Sequence, residues 1–106
     1  AVADTMMMPL VAWDEDLVIA PVRKNSSEDL GEILRSHDNI VLMKPSSNKK
    51  ALLQAIRENH LEEHFVLVTK SGTGEERLVT DITELEQYDI PYLSTVIIKR
   101  QVKMTP

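Results

Sequence analysis

The chain contains no cysteine, which excludes a disulfide scaffold and a thiolate metal site. Aromatic residues are only 4% of the sequence, so any core must be built from Leu, Ile, Val and Met. No apolar run approaches the roughly 20 residues that a membrane span requires, and no membrane partner is expected. Residues 1–8 lack a basic start and carry Asp4, so no secretory signal is expected there. Together with the missing thiols, this leads to the expectation of a cytoplasmic protein. There is no basic stripe either. The net charge is −5, and the densest cationic run is Lys49-Lys50 with Lys44 nearby. No nucleic-acid partner is expected from that pattern.

What remains is a chain of 106 residues, enough for one small domain that buries roughly two-thirds of its unfolded surface. Short β-rich runs alternate with helical segments, which predicts an α/β domain with a largely buried, mixed sheet of about five strands flanked by helices. The strands are expected at Leu17–Ala20, Ile40–Met43, Phe65–Val68, Arg77–Thr80 and Leu93–Lys99. A first helix, to about Ser36, starts from the cap residues Asn25-Ser26-Ser27 and carries Leu30, Ile33 and Leu34 on one face. Gly31 lies inside it and costs about 1 kcal/mol relative to Ala, so this helix depends on its packing. A second helix, about Lys49 to Glu58, follows Pro45 and the cap residues Ser46, Ser47 and Asn48. Its buried stripe is Leu52, Leu53 and Ile56, with Lys49, Lys50, Gln54 and Arg57 facing water. Asp81 or Thr83 could cap a third, running through Tyr88 until Pro91 breaks it. Residues 1–15 read as a short helix and linker from a preceding domain, 16–100 as the α/β domain, and 101–106 as a frayed tail. The chain does not begin with Met, which fits a fragment, or a processed or tagged end.

Residue chemistry alone yields no active site. Asp14-Glu15-Asp16 could attract a hard cation, but it lacks the alternating ligands and central Gly of a calcium loop, and a solvated loop is the favoured reading. His60 and His64 have helical spacing but lack the His-Glu-x-x-His order of zinc proteases. With His37 they read as surface residues, and no metal site is expected. Ser71-Gly72-Thr73-Gly74 ends in two glutamates where a phosphate loop needs Lys, so it reads as a hairpin or crossover turn. Met43 ends a strand where ligands of open α/β sheets often sit, but a core methionine is the simpler reading. No catalytic residue can be named.

Four segments, in order, resemble the C-terminal domain of tetrapyrrole methylases. They are Met8-Pro9-Leu10 with Asp16–Ile19; Ile40-Val41-Leu42-Met43-Lys44; Phe65–Val68 followed by Gly72-Thr73 and Glu75-Glu76-Arg77; and Pro91-Tyr92-Leu93-Ser94-Thr95-Val96-Ile97-Ile98. The last is similar to the ending of the precorrin-2 and cobalt-precorrin-2 carbon-20 methylases. The resemblance covers about residues 8 to 100. It implies a two-domain enzyme, usually a homodimer, that holds S-adenosyl-L-methionine between its domains and methylates a tetrapyrrole substrate. Met43, Leu67, Pro91 and Tyr92 would then form the C-domain wall around the cofactor. The Gly-Pro-Gly-Asp segment of the family's N-terminal domain is missing from this sequence, so the chain alone is expected to be inactive. A non-enzymatic α/β interaction module, and a methylase acting at another ring carbon, are the competing readings.

Overall fold

The first helix begins where its end can be satisfied. In the computed structural model, which describes residues 16–22, 26–70 and 76–104, the Ser26 hydroxyl accepts from the Asp29 amide (3.2 Å), and the Asp29 carboxylate accepts from the Ser26 amide (3.3 Å). This reciprocal cap contributes about 1 kcal/mol and starts helix α1, Ser27–Ser36. Asn25, the other expected cap residue, lies outside the described residues. Gly31 is buried, and a Cβ there would meet the Arg35 guanidinium at 2.9 Å and the Asn59 amide at 3.3 Å. Its absent side chain thus lets α1 approach the end of the second helix closely.

That helix, α2, spans Lys49–Glu58, with the Asn48 side chain accepting from the Ala51 amide. The expected stripe is buried and is widened by Ala51 and Ala55. A 3-10 turn, Pro45–Asn48, precedes it. The expectation that Lys49 faces water is corrected here. Its ammonium donates to the carbonyl oxygens of Glu86 (2.7 Å) and Tyr88 (2.6 Å), at the C-terminal end of α3, Ile82–Gln87. Carbonyls left unpaired at a helix end attract a cation, and periodicity within α2 carries no record of that. Asp81, rather than Thr83, caps α3, accepting from the Thr83 amide at 2.8 Å.

The strands are β1 (Leu17–Pro21), β2 (Asn39–Met43), β3 (Phe65–Lys70), β4 (Glu76–Val79) and β5 (Ser94–Lys99). They form one mixed sheet in the order β1-β2-β5-β3-β4. β1 and β2 are parallel, whereas β5 runs antiparallel to both β2 and β3, and β4 antiparallel to β3. The last strand in sequence is therefore a central one. Its register aligns Ile40, Ile98 and Phe65 in one row and Leu42, Val96 and Leu67 in the next. Both rows are fully buried and share a single core with Leu30 and Leu34 of α1, Leu52 and Ile56 of α2, and Leu85 of α3.

The opposite face is built differently. Among the described residues its core is Val66, Val68, Ile97 and Met104, and Leu17, Ile19 and Leu78 are exposed. Residues 101–104 are therefore not frayed as expected. The Met104 amide donates to the Glu63 carbonyl (2.6 Å) and its side chain is buried against the sheet. Contact between residues this far apart in sequence outweighs the local polarity of the segment.

Asp16 is exposed, in keeping with the solvated-loop reading, but its carboxylate is also engaged locally. Its carboxylate accepts from the Asp38 amide (2.8 Å) and pairs with His37 Nδ1 (2.8 Å), while its backbone oxygen accepts from the Asn39 amide. Asp14 and Glu15 lie outside the described residues. The Asp38 N–H, and then His37, hold the Asp16 carboxyl below the ordinary aspartate range. A lowered folded-state pKa gives stability that is complete above the ordinary value and lost as pH falls through the lowered one. Urea midpoints measured across the acid range should thus fall more steeply for the wild type than for Asp16→Asn below about pH 4. Parallel curves would show that the pair contributes nothing.

Candidate functional site

Because β1, β2 and β3 run one way and β4 and β5 the other, one edge of the sheet collects the C-terminal ends of the first three strands and the start of β5. At that edge Met43 lies directly across from Thr95. Pro45 disfavours right-handed helical geometry at the residue before it, and Lys44 turns the chain through the left-handed region (φ 54°, ψ 54°). The Lys44 carbonyl then accepts from both the amide and the hydroxyl of Ser47. On the facing segment, the Ser94 hydroxyl donates to the Pro91 carbonyl (2.6 Å) and fixes the turn into β5.

Between these two turns lies a cleft of about 220 Å³, lined by Met43, Lys44, Tyr92, Leu93, Ser94 and Thr95. Its lip is apolar yet exposed: Met43 at 40%, Tyr92 at 67% and Leu93 at 75%. The Lys44 ammonium stands 5.8 Å from the centre of the Tyr92 ring, within cation–π range. The Thr95 hydroxyl approaches the Met43 sulfur at 4.0 Å. The arrangement offers a flat aromatic surface, a polarisable thioether, two hydroxyls and one cation, with no acid in the lining. Such a set can hold a planar, partly polar molecule at its edge.

Of the four residues expected to form a wall, the structure brings Met43 and Tyr92 together in this cleft. The simpler reading of Met43 as a core residue is overturned by its exposure. Pro91 is half-buried beside the cleft and acts through its carbonyl. Leu67 does not line it; it is fully buried between Val96 and Val79 on the helical side of the sheet. Leu93, Ser94 and Thr95 carry no expectation beyond the segments that contain them, and Lys44 none beyond its charge near Lys49-Lys50 and its segment. The Lys-Pro step after a strand was a readable sign of a sharp turn at a strand end.

A larger groove of about 590 Å³ lies along α2 and α3, lined by Lys49, Lys50, Leu53, Gln54, Arg57, Glu58 and Glu86. Its charges largely satisfy one another: Arg57 pairs with Glu86 (2.8 Å) and Lys49 holds backbone carbonyls. The edge cleft is therefore the better candidate. The histidines do not converge. His37 pairs with Asp16, and His60 lies exposed beyond the end of α2 with φ 56°. His64, expected at the surface, is half-buried with Nδ1 donating toward the carbonyls of Lys99 (3.2 Å) and Val102 (2.9 Å). No group of three potential metal ligands occurs among the described residues. The expected turn at Ser71–Gly74 lies outside them; the strands on either side, β3 and β4, pair antiparallel. No helix among the described residues is long and apolar enough to cross a membrane.

The fold defines a small α/β domain with a shallow, partly apolar cleft at its strand ends. No protein-family model matches the sequence, and no curated protein matches it. Among solved structures, the chain is similar to cobalt precorrin-4 methyltransferase, a cobalamin biosynthetic enzyme, with a TM-score of 0.69 and 16% identity. The match covers 92% of this chain and 46% of that one, so the chain spans less than half the length of that enzyme. The shared property is the fold.

Proposed function

We propose that this chain is the C-terminal half of an S-adenosylmethionine-dependent methyltransferase that methylates precorrin-2 or cobalt-precorrin-2 at ring carbon 20 in cobalamin biosynthesis. The observation that carries this reading is the meeting of Met43 with Tyr92 and Thr95 in one strand-end cleft, within a fold shared with a cobalt precorrin-4 methyltransferase. The full-length protein is read as a homodimer.

The residues present fit the methyl donor. Tyr92, Leu93 and Met43 give a nucleoside an apolar surface, and the Thr95 hydroxyl gives it a polar contact. At about 220 Å³, the cleft is smaller than the roughly 300–1,000 Å³ of a complete small-molecule site. It therefore serves as one wall, and the facing wall is assigned to an N-terminal domain outside this chain. When bound, S-adenosylmethionine supplies an electrophilic methyl group on a sulfonium. The work of this chain is positioning and the exclusion of water. Met43 and Tyr92 shield one side, Ser94 locks the Pro91 turn, and Leu67 supports the sheet beneath. No side chain need form a covalent intermediate.

Calorimetric titration of the 106-residue chain with S-adenosylmethionine should give a Kd weaker than about 1 mM, with no methyl transfer to precorrin-2. The chain joined to its facing domain should yield a singly methylated product, mapped to carbon 20. Tight binding by the isolated chain would refute the half-site reading. A product methylated at another carbon would favour the second reading, which the precorrin-4 specificity in the neighbour's name supports.

A further inference from the structure

We infer that Lys44 is a carboxylate-recognition residue of the strand-end cleft, an assignment that rests on reading this cleft as a ligand site. Three observations converge on it. First, Lys44 adopts left-handed backbone geometry (φ 54°, ψ 54°), which an L-residue with a long side chain rarely occupies. Strain of this kind clusters at ligand sites. Second, its ammonium stands over the exposed Tyr92 ring at 5.8 Å, so it is held at the cleft rather than trailing into solvent. Third, none of the ion pairs among the described residues involves Lys44, and no acid lines the cleft. The other lysine close to this region, Lys49, holds the carbonyls of Glu86 and Tyr88.

A cation over an aromatic ring, beside apolar side chains and hydroxyls, suits a ligand that is flat and carries an acid. In the proposed reaction two molecules meet that description. The acceptor tetrapyrrole bears carboxylate arms, and the methyl donor ends in an amino-acid carboxylate. The shared chemistry is the carboxylate, which the Lys44 ammonium would meet by a charge-assisted hydrogen bond.

The test is an NMR titration of the whole chain, which reads weak binding residue by residue. Four probes are used: a porphyrin with four propionate arms, the same ring with its arms amidated, S-adenosylhomocysteine, and methylthioadenosine, which has the nucleoside but no carboxylate. Wild type, Lys44→Gln and Lys44→Arg are compared. Lys44→Gln should bind at least one acidic probe about tenfold more weakly while its neutral counterpart is unchanged, and Lys44→Arg should keep most of the affinity. Selective loss of the propionate porphyrin identifies the acceptor as the source of the carboxylate, and selective loss of S-adenosylhomocysteine identifies the donor. Equal binding of the acidic probes by wild type and Lys44→Gln overturns the role of Lys44 and leaves the cleft as a ligand site. Equal loss of acidic and neutral probes shows that Lys44 only shapes the loop. If wild type binds none of the four, the cleft reading falls and the role of Lys44 with it.

Discussion

Leu67→Ala should lower the unfolding free energy by about 2–5 kcal/mol, whereas Tyr92→Ala should change it by no more than about 0.5 kcal/mol. Leu67 is fully buried, paired across the sheet with Val96 on one side and Val79 on the other. Both flanking strands are held by their own ladders, so the hole left by truncation collapses little, and the cavity term adds to the lost transfer energy. Tyr92 is 67% exposed, with the Lys44 ammonium 5.8 Å from its ring centre. Its truncation should weaken ligand binding at the cleft without moving the urea midpoint. The pair thus separates two meanings of one resemblance-based assignment, a wall residue that touches ligand and one that holds the wall up. Urea unfolding with an unchanged slope, together with binding measured on the folded fraction, checks both. A Leu67→Ala protein that is as stable as wild type but binds poorly would place Leu67 back at the ligand.

Asn39→Ala should cost about 3 kcal/mol, close to the upper end for a hydrogen bond to a charged group. Asn39 is fully buried at the start of β2, and Lys99, directly opposite on β5, is nearly so. The Lys99 ammonium donates to the Asn39 side-chain oxygen. The Asn39 side-chain nitrogen donates to the Asp16 carbonyl (3.0 Å). One amide thus joins β1, β2 and β5 at the edge remote from the cleft. Removing it withdraws an acceptor from a buried cation, which is costlier than losing an exposed pair. Replacing both partners, as Asn39→Ala with Lys99→Met, should recover part of the loss. A double-mutant cycle should then give a coupling of about 1 kcal/mol or more. Additive effects would show that the two side chains contribute independently.

The local elements were legible wherever the residues near in sequence carry the cause. Ser26 and Asp29 cap α1 because both partners of the reciprocal bond lie three positions apart. The apolar runs at Ile40–Met43 and Phe65–Val68 became strands within a residue or two of their expected ends. Legibility stopped where a partner comes from afar. Lys49 looks solvated until α3 presents its terminal carbonyls. Residues 101–104 look frayed until the Glu63 carbonyl and the lower sheet face receive Met104. Met43 looked like a core residue because its run is uniformly apolar; only the end of the ladder determines that it stays exposed. In the candidate site, Met43 and Tyr92 were expected and do meet, Leu67 was expected there and is elsewhere, and Lys44 carried no expected role beyond its charge near Lys49-Lys50 and its place at the end of an apolar segment.

By itself, then, the order of residues determined the class of layers: short β-branched runs alternate with capped amphipathic segments, and such segments can bury their apolar faces only by stacking helices on a sheet. Only the tertiary structure decided which strands are neighbours. β5, the last strand, inserts antiparallel between β2 and β3, and this sets Thr95 against Met43, 52 positions away in the chain. Strand pairing draws on backbone groups that every residue carries alike, so a strand's own side chains do not name its partner. The cleft is a product of that pairing.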